Sequence, residues 1–209
     1  MEMPDHHVID VYADLWCPFA YVGLTRAVDS DDVVQGRVQL DLRSWPLELV
    51  NGEPLPQGKT LANATALRAS VAPDLFAGVH HWVYPTSTLP ALALAAKANV
   101  TDLQLGAAVS MHLRHLLFED GLDLSSDLVL NQVAQDFAIA RDPDDLLLVN
   151  SEHLNGQQRG VKGSPHFFCG TGEDIFCPTL DLSRDEEGNL HVEQMVSRLR
   201  DFFARCAAA

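Results

Sequence analysis

Residues Val8 to Asp14 are rich in apolar and β-branched types and hold no Gly or Pro, which predicts a buried strand. A second run, Val38 to Trp45, alternates apolar and polar residues and stops at Pro46, predicting another strand. Residues 49–60 are dense in turn formers and predict a loop. From about 61 to 155 the spacing is helical. Leu89 to Ala98 is Ala/Leu-rich, and Leu103 to Phe118 carries apolar residues at 105, 109, 113, 116 and 117. Two more helices are predicted over Ser125 to Ile139, with Ser126 as a cap, and over Asp142 to Leu154, with Pro143 in the first turn.

After Gly156 the texture changes. Residues 161–169 form a loop running into an aromatic strand, Gly170 to Asp174 a turn, and Ile175 to Cys177 a return strand. Glu193 to Cys206 predicts a closing amphipathic helix with Met195, Val196, Leu199, Phe202 and Phe203 on one face. The order is β-α-β, a helical block, then β-β-α. A strand–helix–strand half joined to a hairpin–helix half describes a thioredoxin fold of the α/β class, with an all-helical insertion. Residues 1–60 and 156–209 are expected to form the thioredoxin-like domain and 61–155 the helical insertion domain.

Composition narrows the function. Of 209 residues 47% are hydrophobic, enough for a sizeable core, and the formal net charge is −15. That charge argues against a nucleic-acid partner and against adsorption on an anionic membrane. No basic segment followed by an apolar run opens the sequence, and no run is long enough to span a bilayer, so a cytoplasmic protein is expected. Four cysteines, at 17, 169, 177 and 206, then suggest catalysis or metal before structural disulfides. The pairs His80-His81 and His112/His115 are not completed by Cys or carboxylate ligands, and no metal is expected. Phosphate loops, nucleotide fingerprints and GxSxG are absent.

The stretch YADLWCPFAYVGL, residues 12–24, carries the most chemistry. Cys17 directly precedes Pro18, and Pro is favoured at the first position of a helix. A thiol at a helix N-terminus meets unpaired N–H groups and the positive end of the helix dipole, so Cys17 is expected to be more acidic than a free cysteine. Asp14 is a buried carboxylate that moves protons, a helix cap or a solvated group, and the sequence leaves these open. Trp16, Phe19 and Tyr21 either wall an aromatic pocket or belong to the core. Cys169 and Cys177 flank Glu173 symmetrically. They either face each other across a simple hairpin or are two buried small hydrophobes.

Two motifs resemble a known family. Cys17-Pro18-Phe19-Ala20-Tyr21-Val22-Gly23 after a first strand is similar to the active-site start of DsbA-like thioredoxin-fold proteins. The subgroup includes FrnE-type oxidoreductases, 2-hydroxychromene-2-carboxylate isomerases and kappa-class glutathione transferases. Gly160-Val161-Lys162-Gly163-Ser164-Pro165-His166-Phe167-Phe168 looks like that family's cis-proline loop. Redox members of the family carry a second Cys three residues after the first, where this chain has Ala20. The isomerase and transferase members usually carry Ser where this chain has Cys17.

The resemblance implies a thiol-disulfide oxidoreductase-like enzyme using one cysteine. Cys17 would be the nucleophile or thiol-stabilising group. Pro18, Phe19, Ala20, Ser164, Pro165 and His166 would contact the substrate, with Asp14, Trp16, Cys169 and Cys177 in auxiliary roles. No cofactor would be held. The partners would be a low-molecular-weight thiol, glutathione or mycothiol, and a small-molecule or protein thiol. Many relatives are dimers, so a homodimer is among the expectations. Two alternatives stand: a thiol-dependent isomerase or S-transferase, and a binding protein on a decayed redox site.

Overall fold

A computed structural model describes residues 7–187 and 190–207, apart from the side chain of Val196. A four-stranded sheet of order β2-β1-β3-β4 is built from β1 (His7–Ala13), β2 (Val38–Ser44), β3 (His166–Cys169) and β4 (Asp174–Phe176). β1 and β2 are parallel, from His7↔Val38 to Ala13↔Ser44. β3 is antiparallel to β1, with Ile9 opposite Cys169 and Tyr12 opposite His166, and β4 is antiparallel to β3.

The pleat divides the strands between two layers. Ile9, Val11, Phe167 and Cys169 face a cluster with Ala20, Leu24 and Ala27 of α1 (Pro18–Val28) and Leu199, Phe202, Phe203 and Cys206 of α9 (Val196–Ala207). Burying each large apolar side chain contributes roughly 1.5–3 kcal/mol, so α9 is fastened by its apolar stripe. Tyr12 and Phe168 point the other way and pack with Trp45.

Between β2 and β3 lie α3 (Leu47–Asn51), α4 (Gln57–Ser70), α5 (Leu89–Thr101), α6 (Leu103–Phe118), α7 (Asp127–Asp136) and α8 (Leu146–Arg159). A short α2 (Asp31–Val34) precedes β2. The block packs against Leu15, Trp16, Tyr21 and Val22 in one core. α8 meets the sheet through Gly156. A Cβ there would lie 2.7 Å from the Trp45 ring and 3.1 Å from Tyr12, so this contact requires glycine. Buried Glu152 of α8 also accepts the Ser44 N–H at 2.7 Å.

Three expectations change. The loop read over 49–60 is largely helical at its edges, because Pro46 and Pro56 stand at the N-caps of α3 and α4. A second hairpin, β5 (Leu180–Arg184) with β6 (Leu190–Gln194), takes the segment read as the start of the closing helix. That hairpin is mostly exposed, so its apolar signal is faint. Finally, Cys169 and Cys177 do not face each other. Cys169 N–H pairs with Glu173 O at 3.0 Å and Cys177 N–H with Pro165 O at 3.0 Å, which puts them at opposite ends of the β3–β4 hairpin.

Candidate active site

β1 ends at Ala13, and the chain turns through Asp14, Leu15 and Trp16 into α1. Cys17 is the N-cap, with extended backbone, and Pro18 fills the first helical position. The Tyr21 N–H closes the first turn on Cys17 O at 3.0 Å. The loop before β3 comes alongside with a cis Ser164–Pro165 peptide bond. The Cys17 thiol donates to Ser164 O at 3.2 Å, and Ser164 Oγ accepts the Asp14 N–H at 2.9 Å. Among the described residues the Ser164 N–H has no protein acceptor.

The electrostatics of Cys17 run against the sequence expectation. The thiol is 5% exposed, and burial pushes its pKa up from the ordinary value. The amides of Ala20 and Phe19 and the Ser164 side chain favour the thiolate, but the nearby Asp14 charge opposes it. Neither amide makes a full capping hydrogen bond to Sγ. Desolvation therefore outweighs the helix N-terminus, and the resting group is a neutral thiol that donates.

Asp14 is wholly buried and neither solvated nor a cap of α1. Its carboxylate accepts from Thr88 Oγ1 at 3.0 Å, from the Trp16 N–H at 3.4 Å and from the Leu47 N–H. Burial pushes its pKa up to about 6, against the pull of those donors. Arg114 of α6, also buried, donates to Asp14 O at 3.1 Å. Burial pushes the guanidinium down to about 10, while the Asp14 charge holds it up. One residue, through its carboxyl and its backbone carbonyl, thus ties together β1, α3, α5 and α6 behind the thiol.

Thr88, Leu47 and Arg114 carry this network, and the sequence reading missed them. Arg114 had a legible signal: a cation next to Leu113 and one turn from Leu117, inside an apolar stripe. Thr88 stands at the N-cap of α5 but makes no capping bond, since its hydroxyl goes to Asp14. The Leu47 contact is a backbone amide and leaves no trace in residue types.

The remaining candidates divide. Ala20 is buried in the α1–sheet core, and Phe19 packs half-buried against it. Trp16 is fully buried and stacks on Tyr84 at 5.7 Å, and Tyr21 stacks on Phe118 at 5.0 Å. Both are core, not pocket walls. His166 does not reach the thiol. It lies on the opposite face of β3 from Phe167, fully buried. Its Nδ1 accepts the Lys162 N–H at 3.1 Å, and its Nε2 pairs with Asp174 at 2.8 Å. The period-two alternation of the strand sets its ring on that face.

Cys177 follows β4 beside Pro165, near enough to Cys17 for their charges to interact, and burial raises its pKa to about 12. Cys169 sits at the far end of β3 with Cys206. An apolar cavity of about 590 Å³ between α1, β2 and α6, lined by Val28, Val33, Leu40, Ala107 and Met111 among others, shares no residue with this site. Among the described residues no three metal-ligating side chains gather, and no helix is long and apolar enough to cross a membrane.

Comparison with known proteins agrees with this layout. No curated protein matches the chain. Among solved structures it is similar to the cytosolic disulfide reductase DsbM from Pseudomonas aeruginosa, with TM-score 0.60, 14% identity, and 96% of this chain and 97% of that one covered. It is similar to a 2-hydroxychromene-2-carboxylate isomerase, with TM-score 0.55, 15% identity, and 81% and 88% covered. It is also similar to a candidate protein disulfide isomerase from Nitrosomonas europaea, with TM-score 0.70, 11% identity, and 96% and 97% covered. At these identities the likeness is one of fold. The model of the DSBA-like thioredoxin domain matches residues 8–186, and the chain belongs to that family.

Proposed function

We propose that this is a DsbA-family thiol enzyme working through the single cysteine Cys17, with a low-molecular-weight thiol as cosubstrate. The carrying observation is Cys17 at the start of α1 against Ser164 O, with Ala20 where a dithiol site holds its second sulfur. In this reading the Cys17 proton leaves to solvent and the thiolate attacks a disulfide. A new S–S bond forms to Cys17 and one thiolate departs. Ala20 cannot displace the bound sulfur, so a second small thiol attacks the mixed disulfide and returns Cys17. The unpaired Ser164 N–H supplies a hydrogen bond to an extended thiol, in the manner of strand addition. The helical block forms the lid. A fold relative, DsbM, has been solved with GSH, which makes glutathione the first thiol to try, with mycothiol next. Such a cycle needs a reduced thiol pool and so belongs in the cytosol.

A second reading draws on the upward shift of the Cys17 pKa. A thiol that stays protonated can donate to the sulfur of a bound thiolate with no covalent step. That suits a thiol-dependent isomerase or S-transferase. Cys17→Ser separates the two, assayed with glutathione against a small disulfide and against a panel of aromatic electrophiles. Exchange through a Cys17 mixed disulfide is abolished by serine. A donor role survives it, because the hydroxyl still donates. A folded wild type inactive in every assay would overturn both readings and leave a binding protein on this scaffold.

A further inference from the structure

Cys169 and Cys206 play no part in the site above, yet the fold brings them together. Cys169 ends β3 and Cys206 lies in the last turn of α9, and both are buried in the same cluster. Each thiol lies near enough to the other to shift its acidity. Cys169 Sγ also contacts Thr171 Oγ1 at 2.8 Å, and its amide pairs with Glu173 O at 3.0 Å. Glu173 in turn takes a hydrogen bond from Arg205 Nε at 2.8 Å, so an ion pair clamps α9 to the same turn.

Two cysteines buried in one cluster, on elements clamped together at Glu173, form a reactive pair. We propose that Cys169 and Cys206 are a second redox site, oxidised to a disulfide by low-molecular-weight disulfides, which fastens α9 to β3. The asymmetry of the pair assigns the roles. Burial alone would push the Cys169 thiol up, but the influence of Cys206, Thr171 and the turn amides outweighs it and brings it down. Burial and the Cys169 charge push Cys206 up. Cys169 therefore attacks first. Its thiolate breaks the S–S bond of the small disulfide, forming a mixed disulfide and releasing one small thiolate. Cys206 loses its proton to solvent and attacks the Cys169 sulfur, and the second small thiolate leaves. Two protein thiols are oxidised by two electrons, and one small disulfide is reduced to two thiols.

Access comes from the exposed flanks. Gly170, Thr171 and Gly172 on one side and Ala204, Arg205 and Ala207 on the other face solvent, so the cover over the sulfurs is thin. The site is independent of Cys17, and one digest separates the two. Cleavage before aspartate puts Cys17, Cys169, Cys177 and Cys206 on fragments 14–28, 145–173, 174–180 and 201–209. Folded protein is incubated with glutathione disulfide, quenched with an alkylating agent, digested and weighed without reduction. The expected result is a linked pair of 145–173 and 201–209, lighter by two hydrogens and lost to alkylation at both cysteines. It forms equally in Cys17→Ser. In Cys206→Ala, checked for fold by circular dichroism, Cys169 keeps a glutathione adduct instead. Free, alkylated Cys169 and Cys206 in folded wild type under these conditions would overturn the proposal. So would linkage of either one to Cys17 or Cys177.

Discussion

Cys17 donates its thiol proton to the carbonyl oxygen of Ser164 at 3.2 Å, across 147 positions of sequence. Burial resists ionisation most, the Asp14 charge adds to it, and a thiol donating to a carbonyl favours its neutral form. Cys17 is therefore predicted to titrate above the free-cysteine value of about 8.5 and to alkylate slowly at neutral pH. The check is alkylation rate against pH, with Cys17→Ser as the blank. A titration below neutrality would mean that the helix N-terminus dominates after all.

Ser164 holds the end of β1 as well as the thiol. Ser164→Ala removes the Oγ acceptor of the Asp14 N–H and leaves a buried donor unpaired. The expected loss is about 1–3 kcal/mol of stability, read from urea unfolding. The carbonyl partner of Cys17 belongs to the backbone and survives, but the lost side chain favours the thiolate, so the Cys17 titration is expected to move further up. Unchanged stability would mean that another acceptor replaces Oγ.

Asp14 gives a pH signature whose sign is unusual for a carboxylate. Its folded pKa, about 6, lies above the ordinary 3.8. The folded state then holds the proton more tightly than the unfolded state. The Asp14 contribution is fully present below about pH 4 and is lost as pH rises toward 6. A shift of about two units caps the effect at about 3 kcal/mol. Measured by urea unfolding at pH 4 and pH 7, wild type loses stability relative to Asp14→Asn as the pH rises. Parallel profiles would contradict the buried, raised carboxyl.

Gly156→Ala tests how the helical block meets the sheet. The added methyl runs into the Trp45 ring, itself packed by Tyr12 at 6.4 Å and His153 at 4.9 Å. Because the ring is boxed in, the change is predicted to destabilise by about 1–3 kcal/mol, read as a lower thermal midpoint. A neutral outcome would show that α8 shifts freely.

Much of this architecture was legible in residue order. The apolar run of β1, the Cys17-Pro18 helix start and the Ser164-Pro165 loop before β3 carry local signals, and their order implied the fold. What stayed hidden depends on contacts between distant segments. Hairpin register sent Cys169 toward Cys206 rather than Cys177, and a symmetric spacing about Glu173 could not reveal it. Strand alternation turned His166 away from the site. Helix position, which favours the Cys17 thiolate, is visible in sequence, whereas the depth of burial that opposes it is not. The role of Thr88 is hidden because its partner, Asp14, comes from another element.

The most direct test of the central claim is whether Cys17 exchanges with a small disulfide in the folded protein. Wild type is treated with glutathione disulfide, quenched and digested before aspartate, and fragment 14–28 is weighed. The single-cysteine account predicts one glutathione on that fragment, stable until reduced thiol is added and absent in Cys17→Ser. An unmodified fragment 14–28 from folded protein, with the same fragment modified after unfolding, would contradict it.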